Sequence, residues 1–326
     1  MTVGAVLLAY AAIAGTAGAR MLGRARWTAR APLLAILTYL AAGWSVVAAL
    51  GLAGLTLAVH ATALGGGLSH LIGACVLRLR ATYATPGGAA VAGLGLTLAG
   101  AVLARTALTA MTHLRATGRQ ALRHAQTARL AGRPDPALGA VLVEHPQPHA
   151  YCVAGRNPTV ILTTGALQTL DPHQLDAVLA HERAHLASHH HWLLAMARIG
   201  RQVLPFMPLM RDADAQVTRL VELHADDAAT RARDPGPLAT ALVVLATAAS
   251  PAPALATAAN PAPALAAAAT DTVHRIHRLL DPAEPLSRAR RQLLRATAAA
   301  LALTPVLLAL TPAVVALALG RVAGAQ

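Results

Sequence analysis

The sequence predicts a mainly α-helical fold, in which multi-pass transmembrane helices are joined to a helical domain with a small β-hairpin or sheet. Three observations support this prediction: mean hydropathy is +0.51 over 326 residues, only 13% of residues are charged, and four long runs are almost free of charge. A soluble globular protein carries about 25% charged residues. This composition therefore argues strongly against a chain made only of water-soluble domains.

Four apolar runs are long enough to cross a bilayer, which requires about 20 residues. They cover residues 2–19, 31–59, 89–111 and 297–319. Arg105 is the one charge inside the third run, and the fourth contains two prolines, which neighbouring helices make tolerable inside a membrane span. Residues 60–77 are also apolar, but two histidines and three consecutive glycines favour a loop or a re-entrant segment there.

The arginines indicate how these spans are oriented. All 27 basic residues are arginine, and they cluster next to the apolar runs, at 20–30, 115–133 and 288–295. Because positive charge accumulates on the cytoplasmic side of a cell membrane, the clusters place the N-terminus outside and the segment after the third span in the cytoplasm. The predicted domains are a membrane domain of about three helices, a cytoplasmic domain and a C-terminal transmembrane helix, at residues 1–114, 115–296 and 297–326.

The net charge of +13 does not indicate a nucleic-acid-binding protein. Only 2% of the residues are aromatic, so few side chains are available to stack on bases. The positions of the arginines beside apolar runs are explained by membrane insertion. We therefore expect the lipid bilayer as a partner and no direct contact with nucleic acid.

The predicted cytoplasmic domain contains the clearest strand and helix signals. Residues 150–154 and 159–164 are separated by Gly-Arg-Asn-Pro and predict a β-hairpin. Asp171 followed by Pro172 predicts the start of a helix, with aspartate as the N-cap and proline at the first helical position. A second helix is predicted at about 211–232. The segment between these helices, 192–210, fits either a core helix or a helix at the membrane surface.

The first of these helices carries the motif His-Glu-Arg-Ala-His, from His181 to His185. Histidines four residues apart project from one helical face, so both imidazoles can bind one zinc ion. Glu182 lies between them, where it can act as the general base for a metal-bound water. The alternative is a surface helix on which two histidines and a glutamate are simply solvated.

A third ligand for such an ion is available on the second helix. Glu222 and Asp226 are four residues apart and therefore share a face. Glu222 can bind the metal, while Asp226 can accept a hydrogen bond from the free ring nitrogen of a ligating histidine and so fix its orientation. The alternative is a solvated helix face that pairs with Arg219. The histidines at 189–191 fit a secondary metal site less well than a surface cluster near lipid headgroups.

The segment from Ala150 to His185, followed by Glu-Leu-His-Ala-Asp at 222–226, resembles membrane-embedded zinc metallopeptidases. Two branches share this pattern, the Bla/Mec-type sensor-transducer peptidases and the HtpX-type proteases. The interval of 37 residues from His185 to Glu222 is closer to the Bla/Mec type. The layout of three spans, a peptidase domain and one further span is also closer to that type.

The resemblance implies a role for each residue of the two motifs. His181, His185 and Glu222 would bind Zn²⁺, Glu182 would be catalytic, and Asp226 would orient a ligating histidine. In the HtpX branch a threonine-histidine-proline segment precedes an Arg-Ile-x-x-Leu sequence. The latter is matched by Arg275-Ile276 and Leu279, but the histidine is missing from its expected position. The group that stabilises a transition-state oxyanion therefore stays open, with three candidates: His274, His149 and Tyr151.

These observations predict an integral-membrane zinc endopeptidase that hydrolyses a protein or peptide substrate. The peptide would add as a strand to the edge of the 150–164 hairpin. The favoured role is regulated proteolysis of a cytoplasmic or membrane partner, such as a transcriptional repressor. One alternative is an HtpX-like quality-control protease of membrane proteins. A second is a non-catalytic signalling scaffold with a structural zinc site.

Overall fold

The computed structural model describes residues 2–58, 88–155, 157–249 and 262–323. The segment 60–77, for which the sequence favours a loop or re-entrant segment, lies outside this part of the chain. The described chain is mainly helical and contains one small sheet, which confirms the predicted fold class.

The helices follow one another along the chain, with a short 3-10 turn at Thr28–Arg30 between the first two. They are α1 (Thr2–Gly23), α2 (Pro32–Ala58), α3 (Gly88–Ala131), α4 (Thr164–Thr169), α5 (Pro172–Ala187), α6 (His190–Val203), α7 (Pro208–Thr230), α8 (Gly236–Ala249), α9 (Ala262–Leu280) and α10 (Arg288–Ala323). The strands are β1 (Gly132–Asp135), β2 (Ala140–Val143), β3 (Ala150–Val153) and β4 (Thr159–Thr163), which form one sheet in the order β1-β2-β4-β3.

Four helices in the described chain are long and apolar enough to cross a membrane, and they coincide with the four apolar runs. They are Val3–Gly23, Pro32–Ala58, Gly88–Ala131 and Arg288–Thr311. With 44 residues, α3 is about 66 Å long, roughly twice the thickness of a bilayer core. It continues without a break past residue 114, where the sequence predicted the end of the membrane domain. One rigid helix therefore connects a membrane span to the sheet.

The helices α2 and α3 approach each other closely at a pair of glycines. A Cβ atom placed on Gly95 would lie 2.5 Å from the carbonyl oxygen of Gly54, and one on Gly54 would lie 2.6 Å from that of Gly95. Small residues at helix crossings are typical of membrane proteins, because backbones can then pack against one another. These two glycines therefore set the distance between α2 and α3.

The largest hydrophobic core combines membrane spans with helices of the predicted cytoplasmic domain. Buried side chains of α1 and α2 pack together with Val203 of α6 and Leu209 and Leu220 of α7. Within the segment 192–210, residues 192–203 lie in α6, whose buried face joins this core while Trp192 and Met196 are exposed. Contact of that exposed face with the membrane surface stays a prediction. Arg105 supports the end of α6, because its guanidinium donates to the carbonyl oxygens of Val203 (2.7 Å) and Gln202 (2.8 Å). The charge inside the third span thus caps the C-terminus of α6.

The predicted hairpin is present, since β3 and β4 pair in antiparallel fashion. The strands β1 and β2 were not predicted, and β2 pairs with β4 in parallel. The helix α5 begins as predicted: the Asp171 carboxylate accepts from two backbone N–H groups, and Pro172 is the first helical residue. Gln174 completes a capping box. The buried strand β4 and the capped helix α5 together fix the position of the His-Glu-Arg-Ala-His motif.

Candidate metal centre and active site

The two histidines of the motif lie on one face of α5, and their Nε2 atoms point toward each other. These nitrogens are 3.1 Å apart, and His181 is buried. On α7, the Glu222 Oε2 atom lies 3.5 Å from His181 Nε2, and its Oε1 atom lies 3.5 Å from His185 Nε2. The three donor atoms thus lie within 4.8 Å of one another, in the geometry of a metal site.

The donor set fits a zinc ion in chemistry and in spacing. Two imidazoles and one carboxylate are a known ligand set of catalytic zinc, which leaves the fourth position open. In a tetrahedral site with bonds of about 2.0–2.2 Å, the ligand atoms lie about 3.3–3.5 Å apart. The two nitrogens, 3.1 Å apart, are close to such an edge, and Glu222 approaches each of them to 3.5 Å with a different oxygen.

Asp226 lies next to the Nδ1 atom of His181, on the other side of the ring from Nε2. This carboxylate is fully buried, and its Oδ1 lies 2.9 Å from His181 Nδ1. Burial lowers the pKa of His181, but contacts with Asp226 and Glu222 outweigh it and raise the pKa to about 9. The Asp226 carboxylate therefore lies beside the ring nitrogen of His181 that does not face Glu222.

The arginine that holds these carboxylates is Arg275 of α9, not Arg219. Arg275 donates to Asp226 Oδ1 (2.7 Å) and Oδ2 (2.8 Å), and its Nη1 lies 3.0 Å from Glu222 Oε2. Burial alone would raise the pKa of Asp226, but Arg275 and His181 lower it to about 2. The alternative of a solvated face paired with Arg219 is therefore wrong, since Arg219 lies 3.7 Å from Asp271. The Arg-Ile-x-x-Leu match in the sequence contained the signal for Arg275.

Glu182 lies between the two histidines in the sequence, and its side chain is next to the sheet. Burial raises the pKa of its carboxyl group. The thiol of Cys152, in the edge strand β3, is a neighbour of this carboxylate, and burial together with Glu182 raises the pKa of Cys152 to about 12. The candidate base is therefore half-buried beside the strand edge to which a peptide could add.

The three candidate oxyanion donors lie in different surroundings. His274 on α9 and His149 before β3 are both exposed. Tyr151 is 42% exposed and lines a cavity of about 800 Å³ that also reaches His185. Tyr151 is thus the candidate that shares a cavity with the metal site, and its role stays a prediction.

A line of imidazoles extends from the site on the side away from Asp226. His190 Nδ1 lies 2.9 Å from His185 Nδ1, and His190 Nε2 lies 2.8 Å from His224 Nδ1. His190 is 1% exposed, and burial with its two histidine neighbours lowers its pKa to about 3. The interpretation of residues 189–191 as a surface cluster is therefore wrong for His190. Its contact with His185 could not be seen from spacing, because it depends on the turn between α5 and α6.

Membrane-length helices combined with convergent histidine and glutamate ligands are the features of a membrane metallopeptidase. Comparison with known proteins agrees: residues 117–219 match the model of peptidase family M48. The matched segment includes His181, Glu182 and His185 and ends before Glu222. The predicted resemblance to membrane-associated metallopeptidases is thereby confirmed.

One curated relative is a "Protease HtpX homolog" from Moorella thermoacetica, 36% identical over 88 residues. The match covers 26% of this chain and only 29% of the relative. Its name is that of the HtpX branch, whereas the preference for the Bla/Mec-type layout stays a prediction. No solved structure matches the chain.

Proposed function

We propose that this protein is an integral-membrane zinc endopeptidase whose catalytic domain faces the cytoplasm. His181, His185 and Glu222 hold the ion, and Glu182 is the general base. The observation that carries the proposal is the convergence of three donor atoms within 4.8 Å beside a half-buried glutamate. The match of residues 117–219 to a peptidase family supports the same chemistry.

When bound by these residues, a zinc ion would polarise a peptide carbonyl and lower the pKa of a water molecule enough for it to lose a proton near neutral pH. Glu182 accepts the proton of the attacking water on its carboxylate and passes it to the nitrogen of the leaving amine. Asp226 holds His181 in the required orientation through the ring Nδ1. Arg275 keeps Asp226 charged and in place, and it also contacts the ligand Glu222.

The surroundings of the site favour an extended, apolar peptide as the substrate. The strand β3 lies at the edge of the sheet, so a peptide can add to it through main-chain hydrogen bonds. The cavity of about 800 Å³ lies between β3, the start of α6 and the C-terminal half of α3. Because α3 is also long and apolar enough to cross a membrane, the cavity lies along the same helix as a candidate span.

This location supports an HtpX-like role in membrane protein quality control, in line with the name of the relative. The alternative is regulated cleavage of one partner, such as a repressor. Comparative proteomics of cells that express wild type or Glu182→Gln distinguishes the two. Quality control predicts that many membrane proteins accumulate in the variant, whereas a dedicated switch predicts one or a few.

Glu182→Gln, in the full-length protein, tests the enzymatic proposal. We expect peptide cleavage to fall by roughly 10²–10⁴-fold, because a general base is lost, while bound zinc stays at the wild-type level. Glu144→Gln is the matched control, since Glu144 is an exposed glutamate outside the site. Chelation should abolish wild-type activity, and added zinc should restore it.

Full activity of Glu182→Gln would refute the mechanism. A wild-type protein that holds zinc but cleaves no peptide would favour the signalling scaffold with a structural metal.

A further inference from the structure

The hydrogen-bonded line from His185 through His190 to His224 has one consistent arrangement of protons if His185 binds a metal. The Nε2 atom of His185 faces His181 and Glu222, so it is the metal-binding nitrogen and has no proton. The proton of the neutral ring is then on Nδ1, which must donate to His190 Nδ1. His190 in turn carries its proton on Nε2 and donates to His224 Nδ1.

A strained turn places His190 at this position. The helix α5 ends at Ala187, and His189 adopts left-handed backbone angles (φ 52°, ψ 38°) before α6 begins at His190. In the part of the chain that the structure describes, His189 is the single non-glycine residue with a positive φ. Such a conformation is disfavoured for a residue with a Cβ atom and persists where its surroundings impose it. Here it brings a buried imidazole back to the metal site.

The two candidate histidine ligands are therefore supported in different ways. His181 contacts a buried carboxylate, that of Asp226, at 2.9 Å. His185 contacts a neutral imidazole, that of His190, at 2.9 Å. A neutral acceptor fixes the tautomer and direction of the ring without adding negative charge next to Glu222.

We propose that His190 is a positioning residue, which holds the His185 ring in the tautomer and orientation needed for metal binding, while His224 fixes His190. This rests on the proposed function, because it requires His185 to be a metal ligand. His190 itself need not contact the ion or the substrate.

Cobalt binding by the full-length apo-protein in detergent tests this inference without measuring activity. Titration with Co²⁺ gives the affinity, and the visible spectrum reports the geometry of the bound ion. His190→Asn keeps an amide oxygen at the place of Nδ1 and thus an acceptor for His185. His190→Gln places its amide nearer to the place of Nε2, and His190→Leu has no acceptor. His191→Leu is the matched control, because His191 is adjacent and exposed.

We expect His190→Leu and His190→Gln to bind Co²⁺ about 10–100-fold more weakly, with an altered spectrum. His190→Asn should retain most of the affinity, and His191→Leu should bind like wild type. In wild type, the cobalt-shifted proton signal of His185 Nδ1 should exchange slowly with D₂O, since the hydrogen bond is buried. The same signal should exchange faster in His190→Leu.

The two proposals fail in different ways. If His185→Ala binds Co²⁺ as wild type does, His185 is not a ligand and the proposed function fails. If His185→Ala loses binding but His190→Leu keeps wild-type affinity and spectrum, the positioning role alone is refuted. Should His190→Leu fail to fold, the comparison of Asn with Gln decides: equal affinities in those two variants would overturn the positioning role.

Discussion

Arg275→Met should locally destabilise the helices that meet at the metal site, even when no metal is bound. Arg275 is only 14% exposed and donates two hydrogen bonds, at 2.7 and 2.8 Å, to the fully buried Asp226. Methionine keeps most of the apolar stem but cannot donate. The substitution therefore leaves the Asp226 carboxylate buried with His181 as its remaining charged neighbour.

Two arguments give the size of the destabilisation that Arg275→Met should cause. In the folded protein Arg275 and His181 together outweigh burial and lower the pKa of Asp226 from 3.8 to about 2, which corresponds to roughly 2–3 kcal/mol of stability at neutral pH. Because the folded-state pKa is depressed, this stability is present above pH ~4 and is lost as the pH falls toward 2. Removal of one partner of a buried ion pair costs about 3–5 kcal/mol. We therefore expect a loss of about 3 kcal/mol in the opening free energy of this region.

Hydrogen–deuterium exchange of the chelated full-length protein measures that loss. About 3 kcal/mol corresponds to a roughly 100-fold lower protection of amides near Asp226 on α7 and near Arg275 on α9. Arg233→Met is the control: Arg233 lies 3.3 Å from Asp176, but both side chains are about half exposed, so little change is expected. Protection in Arg275→Met that equals the control would refute the view that Arg275 stabilises a buried carboxylate.

Two further predictions concern the strand edge and the membrane helices. In a Cys75→Ser background, alkylation of Cys152 at pH 8 should be about a thousandfold slower than that of a free cysteine, because a pKa of about 12 keeps the thiol protonated. The alkylation rate should rise with pH, and at a given pH it should be higher in Glu182→Gln than in wild type. A fast alkylation that does not depend on pH would contradict a raised pKa of Cys152. Gly95→Ala should lower the free energy of unfolding in detergent by about 1–3 kcal/mol, because a methyl group would push α2 and α3 apart. Gly93→Ala on the same helix meets open space and should be neutral, so equal effects of the two substitutions would be the contrary result.

The parts of the site that depend on helical spacing could be predicted from the sequence. His181 and His185 share a face whenever residues 172–187 are helical, and the Asp171-Pro172 start makes that helix clear. Glu222 and Asp226 follow the same rule on α7. Local rules determine such pairs, so no knowledge of tertiary contacts was needed.

The other members of the site depend on contacts between distant segments, which spacing does not report. Arg275 reaches Asp226 across 49 residues of chain, and a short sequence match was its only local signal. His190 reaches His185 because His189 takes a left-handed conformation, which few non-glycine residues adopt and which spacing does not predict. The strand β1 was missed for a different reason: three residues of Gly-Arg-Pro-Asp, namely glycine, proline and aspartate, are of types depleted in strands.

The helices that carry the candidate site also pack against helices of the predicted membrane domain. Glu222 lies on α7, and the first half of that helix packs through Leu209 and Val217 into the same core as α1 and α2. The helix α6, which begins with His190, is capped at its other end by Arg105 of a membrane span. A candidate metal ligand and the residue that supports another ligand are thus both anchored to the membrane helices. The spacing of the donor atoms therefore depends on how the spans pack, and any substrate that separates α2 from α7 would also move Glu222 relative to the histidines.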